Sequence, residues 1–253
     1  MKIRLDLKYN ALLALITILM MGSCRDSSDI APLSRVTFFP DFILEGETSY
    51  DIACGESFSL PGARVEEEGT EISFETDISG LFFDRTDGTS VNTEIPDIYN
   101  VEYSAINKDG FPGTAVRVVD INPCKGDFVS SIEGSYVSTV IRGGTFDPRY
   151  ENLGPIYIAD FGDGTYGISS ALGGYYDYGR SFGSGYAAYG AVVKANDLAG
   201  NDFSATSIGV FPIWGNTVEV TDFKIDPTTK TISYVGTANF GNGVFEVTLT
   251  QVD

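Results

Sequence analysis

The chain has 253 residues, with 16 Lys plus Arg against 35 Asp plus Glu, and its formal net charge is −19 at neutral pH. So acidic a surface repels nucleic acid and anionic lipid, and it serves mainly solubility. Histidine is absent, which removes Ser-His-Asp and Cys-His triads, histidine zinc sites and histidine general bases.

The N-terminus divides into three parts. Lys2, Arg4 and Lys8 are basic, Ala11 to Met21 is an apolar run, and Gly22-Ser23 are small residues before Cys24. That is the layout of an export signal, and the run is too short to span a bilayer as a helix. The stretch "LMMGSC" resembles a bacterial lipobox, whose cysteine is acylated and becomes the first mature residue. Residues 1–23 are therefore expected to be a lipoprotein signal peptide and Cys24 the lipidation site. Removing them takes away Lys2, Arg4, Asp6 and Lys8, and leaves a net charge of about −21. Residues 24–33 are polar and read as a flexible tether. Acidic residues just behind the cysteine resemble the surface-export signals of glycan-foraging gut bacteria. That resemblance implies an outer-membrane, lipid-anchored, surface-facing location.

Two cysteines remain, Cys54 and Cys124. An oxidising compartment favours a disulfide between them, with two buried thiols as the alternative. Closing a loop of this length is worth about 4 kcal/mol in the chain-entropy model.

Beyond the signal the chain shows short alternating runs rich in Val, Ile, Thr, Tyr and Phe, broken by Gly, Asp and Asn. In "YNVEYSAI", Val101, Tyr103 and Ala105 share one face, and Glu102 and Ser104 the other. "NKDGFPG" is a turn, and in the following "TAVRVVDI" Val116 and Val118 oppose Arg117, so the three pieces predict a hairpin. Residues 34–124 carry an opening "VTFFPDFILEGE", then "CGESFSLPGARVEEEGTEI" and "IPDIYNVEYSAINKDGF", and a final "TAVRVV". They resemble the bacterial Ig-like domains of surface lipoproteins, which implies a β-sandwich and, commonly, a spacer role. In such a fold Cys54 ends an edge strand parallel to the last strand, which ends at Cys124. Matched ends of parallel neighbours come within bridging distance.

"NPCKGD" marks a linker, and residues 127–253 start a second all-β domain. Candidate strands are "IEGSYVSTVIR", "PIYIAD", "TYGIS", "YGAVVKAN", "IGVFPIW", "NTVEVTDFKI", "KTISYVG" and "GVFEVTLTQV". In the last, Phe245, Val247 and Leu249 alternate with Glu246, Thr248 and Thr250. "DPTTK" is a hairpin turn. The pattern predicts an antiparallel β-sandwich or a small lipocalin-like barrel. This half resembles the uncharacterised C-terminal domain of two-domain lipoproteins from gut-bacterial glycan-utilisation loci.

Little else points to catalysis. Asp160 and Asp163 in "ADFGDGTYG" are the best carboxylate pair, but "GDG" between two β runs is first a turn. With Asp177 they also offer oxygens to calcium, though without an EF-hand spacing. No phosphate loop or dinucleotide fingerprint occurs. No cofactor, no metal and no enzymatic activity are expected.

The segment Leu172 to Tyr189, "LGGYYDYGRSFGSGYAAY", stands out. Tyr175, Tyr176, Tyr178, Phe182, Tyr186 and Tyr189 lie among glycines, with Asp177 and Arg180 between. A tyrosine ring suits the apolar face of a sugar, and Asp177 and Arg180 suit its hydroxyls. Trp214, the only tryptophan, offers a second platform. Candidate ligand-binding residues are Tyr175, Tyr176, Asp177, Tyr178, Arg180, Tyr186 and Trp214. The same segment also reads as buried β core, with glycines at bulges; if extended, adjacent Tyr175 and Tyr176 point to opposite faces. A coplanar exposed row would favour sugar, burial would favour structure, and an enclosed cavity would favour a small apolar ligand.

The expected function is therefore non-catalytic binding of oligo- or polysaccharide at the cell surface. The membrane is met only through the lipid anchor, and importer proteins of the outer membrane are the expected neighbours. The alternative is a structural or accessory subunit of an outer-membrane complex.

Overall fold

Alternating apolar and polar residues, separated by Asx- and glycine-rich turns, leave strands as the elements that can bury one face. The computed structural model describes residues 36–252. The expected signal peptide, Cys24 and the tether lie outside these residues.

The first domain contains β1 (Asp41–Leu44), β2 (Ser49–Ile52), β3 (Ala63–Glu67), β4 (Thr70–Ile72), β5 (Glu75–Gly80), β6 (Asp97–Ile106) and β7 (Pro112–Ile121). A three-stranded sheet, β1-β3-β4, packs on a four-stranded sheet, β2-β7-β6-β5. Between them lie Ile52, Ile78, Tyr99, Val101, Val119 and Ile121, with Phe42 and Leu44 of the other sheet against them. The hairpin expected from the sequence is β6–β7, joined by a turn in which Asn107 Oδ1 accepts from the Phe111 amide at 2.7 Å. β2 runs parallel to β7, with Ile52 opposite Ile121. That register brings Cys54 and Cys124 to a Cα–Cα distance of 4.9 Å, and their sulfurs are bonded.

The inward face of β7 holds a surprise. Val116 is exposed, whereas Arg117 is wholly buried. Its guanidinium donates to three backbone carbonyls, those of Glu45 (2.5 Å), Glu47 (3.0 Å) and Pro61 (2.6 Å), and to the Tyr103 hydroxyl at 2.9 Å. Five donors in a planar fork can satisfy several loop carbonyls at once, which no apolar side chain can do.

The second domain contains β8 (Gly134–Arg142), β9 (Leu153–Asp160), β10 (Thr165–Ile168), β11 (Ala191–Asp197), β12 (Asp202–Ser207), β13 (Gly209–Val210), β14 (Thr217–Asp226), β15 (Thr231–Ala238) and β16 (Val244–Gln251). They form one antiparallel sheet in the order β12-β11-β10-β9-β8-β16-β15-β14-β13. The sheet curls until its ends approach. Tyr189, just before β11, exchanges both backbone hydrogen bonds with Val210 of β13 at 3.0 and 2.7 Å. Phe203 of β12 meets Phe223 of β14 at 4.8 Å between ring centroids. The result is a nearly closed barrel, the second of the two architectures expected for this half.

The two domains belong to one compact unit, and one loop explains much of their docking. After β5 the chain turns back under the carboxylate of Asp97, which accepts from the amides of Phe82 (2.7 Å), Phe83 (2.9 Å) and Asp84 (3.1 Å). So held, Phe82 packs on Tyr157 and Tyr189, and Phe83 on Phe161. Arg85 lies 3.7 Å above the Phe161 ring. The barrel makes room at Gly167, where a Cβ would sit 2.6 Å from Phe83 and 2.5 Å from Phe161.

Candidate functional site

The tyrosine- and glycine-rich segment leaves β10 and dives into the barrel. Ser169, Ser170, Ala171 and Leu172 are buried, and their polar atoms are matched. The Tyr157 amide donates to Ser169 Oγ at 2.9 Å, the Ala171 amide to the Ala188 carbonyl at 3.0 Å, and Tyr234 OH to the Ser170 carbonyl. Ser138 Oγ donates to the carbonyl of Gly173. Gly173 has φ +59°, and a Cβ there would lie 2.6 Å from Val247 Cγ1, so only glycine lets the plug seat. The barrel interior is thus filled by its own chain.

The plug then coils into a wide helical turn, Tyr175–Gly179, in which the Arg180 amide donates to the Tyr175 carbonyl at 3.0 Å. Here the expectation for Tyr175 and Tyr176 is corrected. They are only 4% and 8% exposed, so neither is a free platform. Both are core because the backbone is helical: consecutive side chains diverge far less than across a strand, and two neighbours can face one interior. Tyr175 stacks on Tyr150 at 4.1 Å and meets Phe245 at 5.0 Å.

Tyr176 forms the floor of an aromatic cluster at the end of the barrel. Trp214 stands edge-on to it at 4.9 Å, and also lies 4.9 Å from Tyr186 and 5.3 Å from Phe211. Phe182 covers Tyr186 at 5.2 Å. Phe211 is buried and Phe240 half-buried, but Phe182 is 45%, Trp214 40% and Ile213 60% exposed. This exposed rim is the candidate site. Its rings are tilted or perpendicular to one another, so they form a faceted wall and no coplanar row.

Asp177 and Tyr178 point elsewhere. With Gly183, Ser184 and Tyr189 they line a cleft of about 150 Å³ against Leu81, Phe82 and Ile98 of the first domain. One Asp177 oxygen is buried without a hydrogen-bond partner among the described residues. Burial pushes its carboxyl up to about 6. Arg180 leans over the Phe182 ring at 5.8 Å and donates to Tyr150 OH at 3.4 Å. The seven candidates therefore separate into core (Tyr175, Tyr176), rim (Tyr186, Trp214, with Arg180 beside it) and domain cleft (Asp177, Tyr178). Phe182 and Ile213 join the rim; Phe182 carried the signal of its aromatic segment, whereas Ile213 carried none.

The carboxylates considered for catalysis or calcium are turn-formers. Asp160 Oδ1 accepts from the Gly162 amide at 2.9 Å, and Asp163 Oδ1 from the Thr165 amide at 3.0 Å. Among the described residues no group of three or more His, Cys, Asp or Glu is placed to hold a metal.

Comparison with known proteins agrees with this layout. Residues 42–121 match the family model of the Ig-like domain of bacterial surface proteins, and residues 125–251, half of the chain, match that of a C-terminal domain. The chain belongs to the family of that C-terminal domain, and its first domain matches the Ig-like domain of bacterial surface proteins. A solved structure of a lipoprotein from Bacteroides thetaiotaomicron is similar to it, at 26% identity and a TM-score of 0.47, over 84% of this chain and 100% of that one. No curated protein matches. Within the family's layout the rim lies in the C-terminal domain, and the Ig-like domain supports it through Phe82 and Phe83.

Proposed function

We propose that this protein is a lipid-anchored surface protein that binds oligo- or polysaccharide without turning it over, as part of a glycan-uptake system. One observation carries the reading: exposed Trp214 and Phe182 close around half-buried Tyr186 to form an aromatic rim on a domain whose core is packed with its own side chains. Aromatic faces held rigidly by a core are suited to the apolar faces of sugar rings, and they lose little entropy on binding. Cys24 would anchor the chain to the outer membrane, with the rim facing outward and importer proteins as neighbours.

A second reading has its own support. Ile213 is the most exposed residue of the rim and offers a sugar no hydrogen bond, whereas it suits an apolar protein contact. In that case the protein is an accessory subunit of a surface complex.

Affinity electrophoresis of the full-length protein in non-ionic detergent, against plant, host and yeast polysaccharides, separates the two. Retardation by a polysaccharide that is lost in Trp214→Ala and Phe182→Ala, with circular dichroism unchanged, supports glycan binding. Absence of retardation across the panel rejects it in favour of the accessory subunit.

A further inference from the structure

The second domain contains only three arginines, Arg142, Arg149 and Arg180, and all three gather at one spot. Arg142 lies over Tyr175 at 5.6 Å, Arg149 over Tyr150 at 5.5 Å, and Arg180 reaches the Tyr150 hydroxyl at 3.4 Å. Tyr150 and Tyr175 are the stacked pair, so three cations from distant stretches of chain surround two phenols. In a chain of net charge −19 such convergence runs against the overall field.

The three are not equally engaged. Arg149 is held by Asp147, with Nη2 and Oδ2 2.6 Å apart. Arg142 and Arg180 have no carboxylate within ion-pair reach among the described residues. Arg142 uses Nε on the Asn242 carbonyl at 2.9 Å and borders an open groove of about 590 Å³ with Gly143, Asn242 and Val244. Arg180 is exposed. Arg180 adjoins the aromatic rim, 5.8 Å from the Phe182 ring, and Arg142 lies 6.0 Å from buried Tyr176, on which Trp214 packs. The local field is visible in Tyr150. Burial raises its pKa, but hydrogen bonds with Tyr175 and Arg180 and the charges of Arg180 and Arg149 outweigh that and hold it below the ordinary tyrosine value.

We infer that the site takes a glycan bearing uronic acid, with a sugar ring against Trp214 and Phe182 and its carboxylate bound by Arg142 and Arg180. The planar guanidinium fork matches a planar carboxylate in two parallel hydrogen bonds. A stacking wall flanked by such forks recognises a ring and a charge together. This rests on the glycan-binding reading and adds the charge of the ligand. Because the rest of the surface is acidic, no long-range attraction draws a polyanion in, and selectivity comes from these two side chains alone.

The test uses the full-length protein in non-ionic detergent with polygalacturonan, alginate and hyaluronan, each beside its carboxyl-reduced, neutral form, and with neutral plant and yeast polysaccharides. At least one uronate polymer is expected to retard the wild type at least tenfold more strongly than its reduced form. Arg142→Gln/Arg180→Gln should abolish that difference, and Arg142→Lys/Arg180→Lys should restore part of it. Equal binding of reduced and unreduced polymers, or binding confined to neutral polysaccharides, overturns the uronate inference and leaves glycan binding standing. No retardation by any polymer overturns both.

Discussion

At the scale of single residues, Asp177 shows how a position inside an aromatic segment acquires an altered chemistry. It sits at the edge of the plug, beside Tyr178 and Tyr189 and across the domain cleft from Phe82, and burial pushes its pKa from 3.8 up to about 6. Between about pH 4 and pH 6 the folded protein thus holds a proton that the unfolded chain releases. Stability from this group is fully present below about pH 4, falls as pH rises to about 6, and is level above that. Asp177→Asn removes the ionisation. The variant is expected to match the wild type near pH 4 and to exceed it by on the order of 3 kcal/mol at pH 7.5, because each pKa unit is worth about 1.4 kcal/mol. Urea unfolding of both proteins at four pH values checks this; parallel curves for the two would sink it. Glu133, whose pKa burial also raises to about 6, contributes equally to both and drops out of the difference.

At the scale of elements, the loop between β5 and β6 does the docking. Asp97 replaces a row of loop hydrogen bonds with one buried carboxylate and so aims Phe82 and Phe83 into the barrel. Removing both rings takes away their packing on Tyr157, Tyr189 and Phe161, worth roughly 3 kcal/mol or more in total. Phe82→Ala/Phe83→Ala should therefore split a single calorimetric unfolding transition into two, one for each domain. A variant that still melts in one step would show that other contacts couple the domains. β12 and β14 make a different point about elements. The apolar phase of β14 slips between Val220 and Phe223, and the structure places a bulge there, with Asp222 at φ +54°. That slip is readable in "TVEVTDFKI". β12 was not anticipated, because in "DFSATS" only Phe203 is apolar and partly buried. Its strand character comes from pairing with β11.

At the scale of the whole molecule, a disulfide-closed sandwich supports a barrel that closes on its own chain. Cys54–Cys124 shuts a loop with a sequence separation of 70 and so constrains the unfolded state of the first domain. Replacing both cysteines by serine should lower the stability of that domain by about 4 kcal/mol. The second domain, whose core is separate, should keep its near-ultraviolet aromatic spectrum. Loss of that signal alongside would mean that the barrel depends on the sandwich for its fold.

How much of this was legible beforehand follows from the range of the forces involved. The sequence alone determined the all-β class, the Ig-like first domain and its hairpin, and most strands of the second domain. Those features rest on period-two alternation and turn chemistry, which are local. It also pointed to the segment that carries part of the candidate rim, because aromatic and glycine density is visible without coordinates. Tertiary structure decided the rest. Tyr175 and Tyr176 are core because the plug coils, Arg117 is buried because three loop carbonyls from elsewhere in the chain meet it, and barrel closure depends on Tyr189 reaching Val210. The gathering of Arg142, Arg149 and Arg180 around one tyrosine pair is decided in the same way. Each depends on which distant residues share a volume once the sheet has curled, and no short stretch of sequence encodes that.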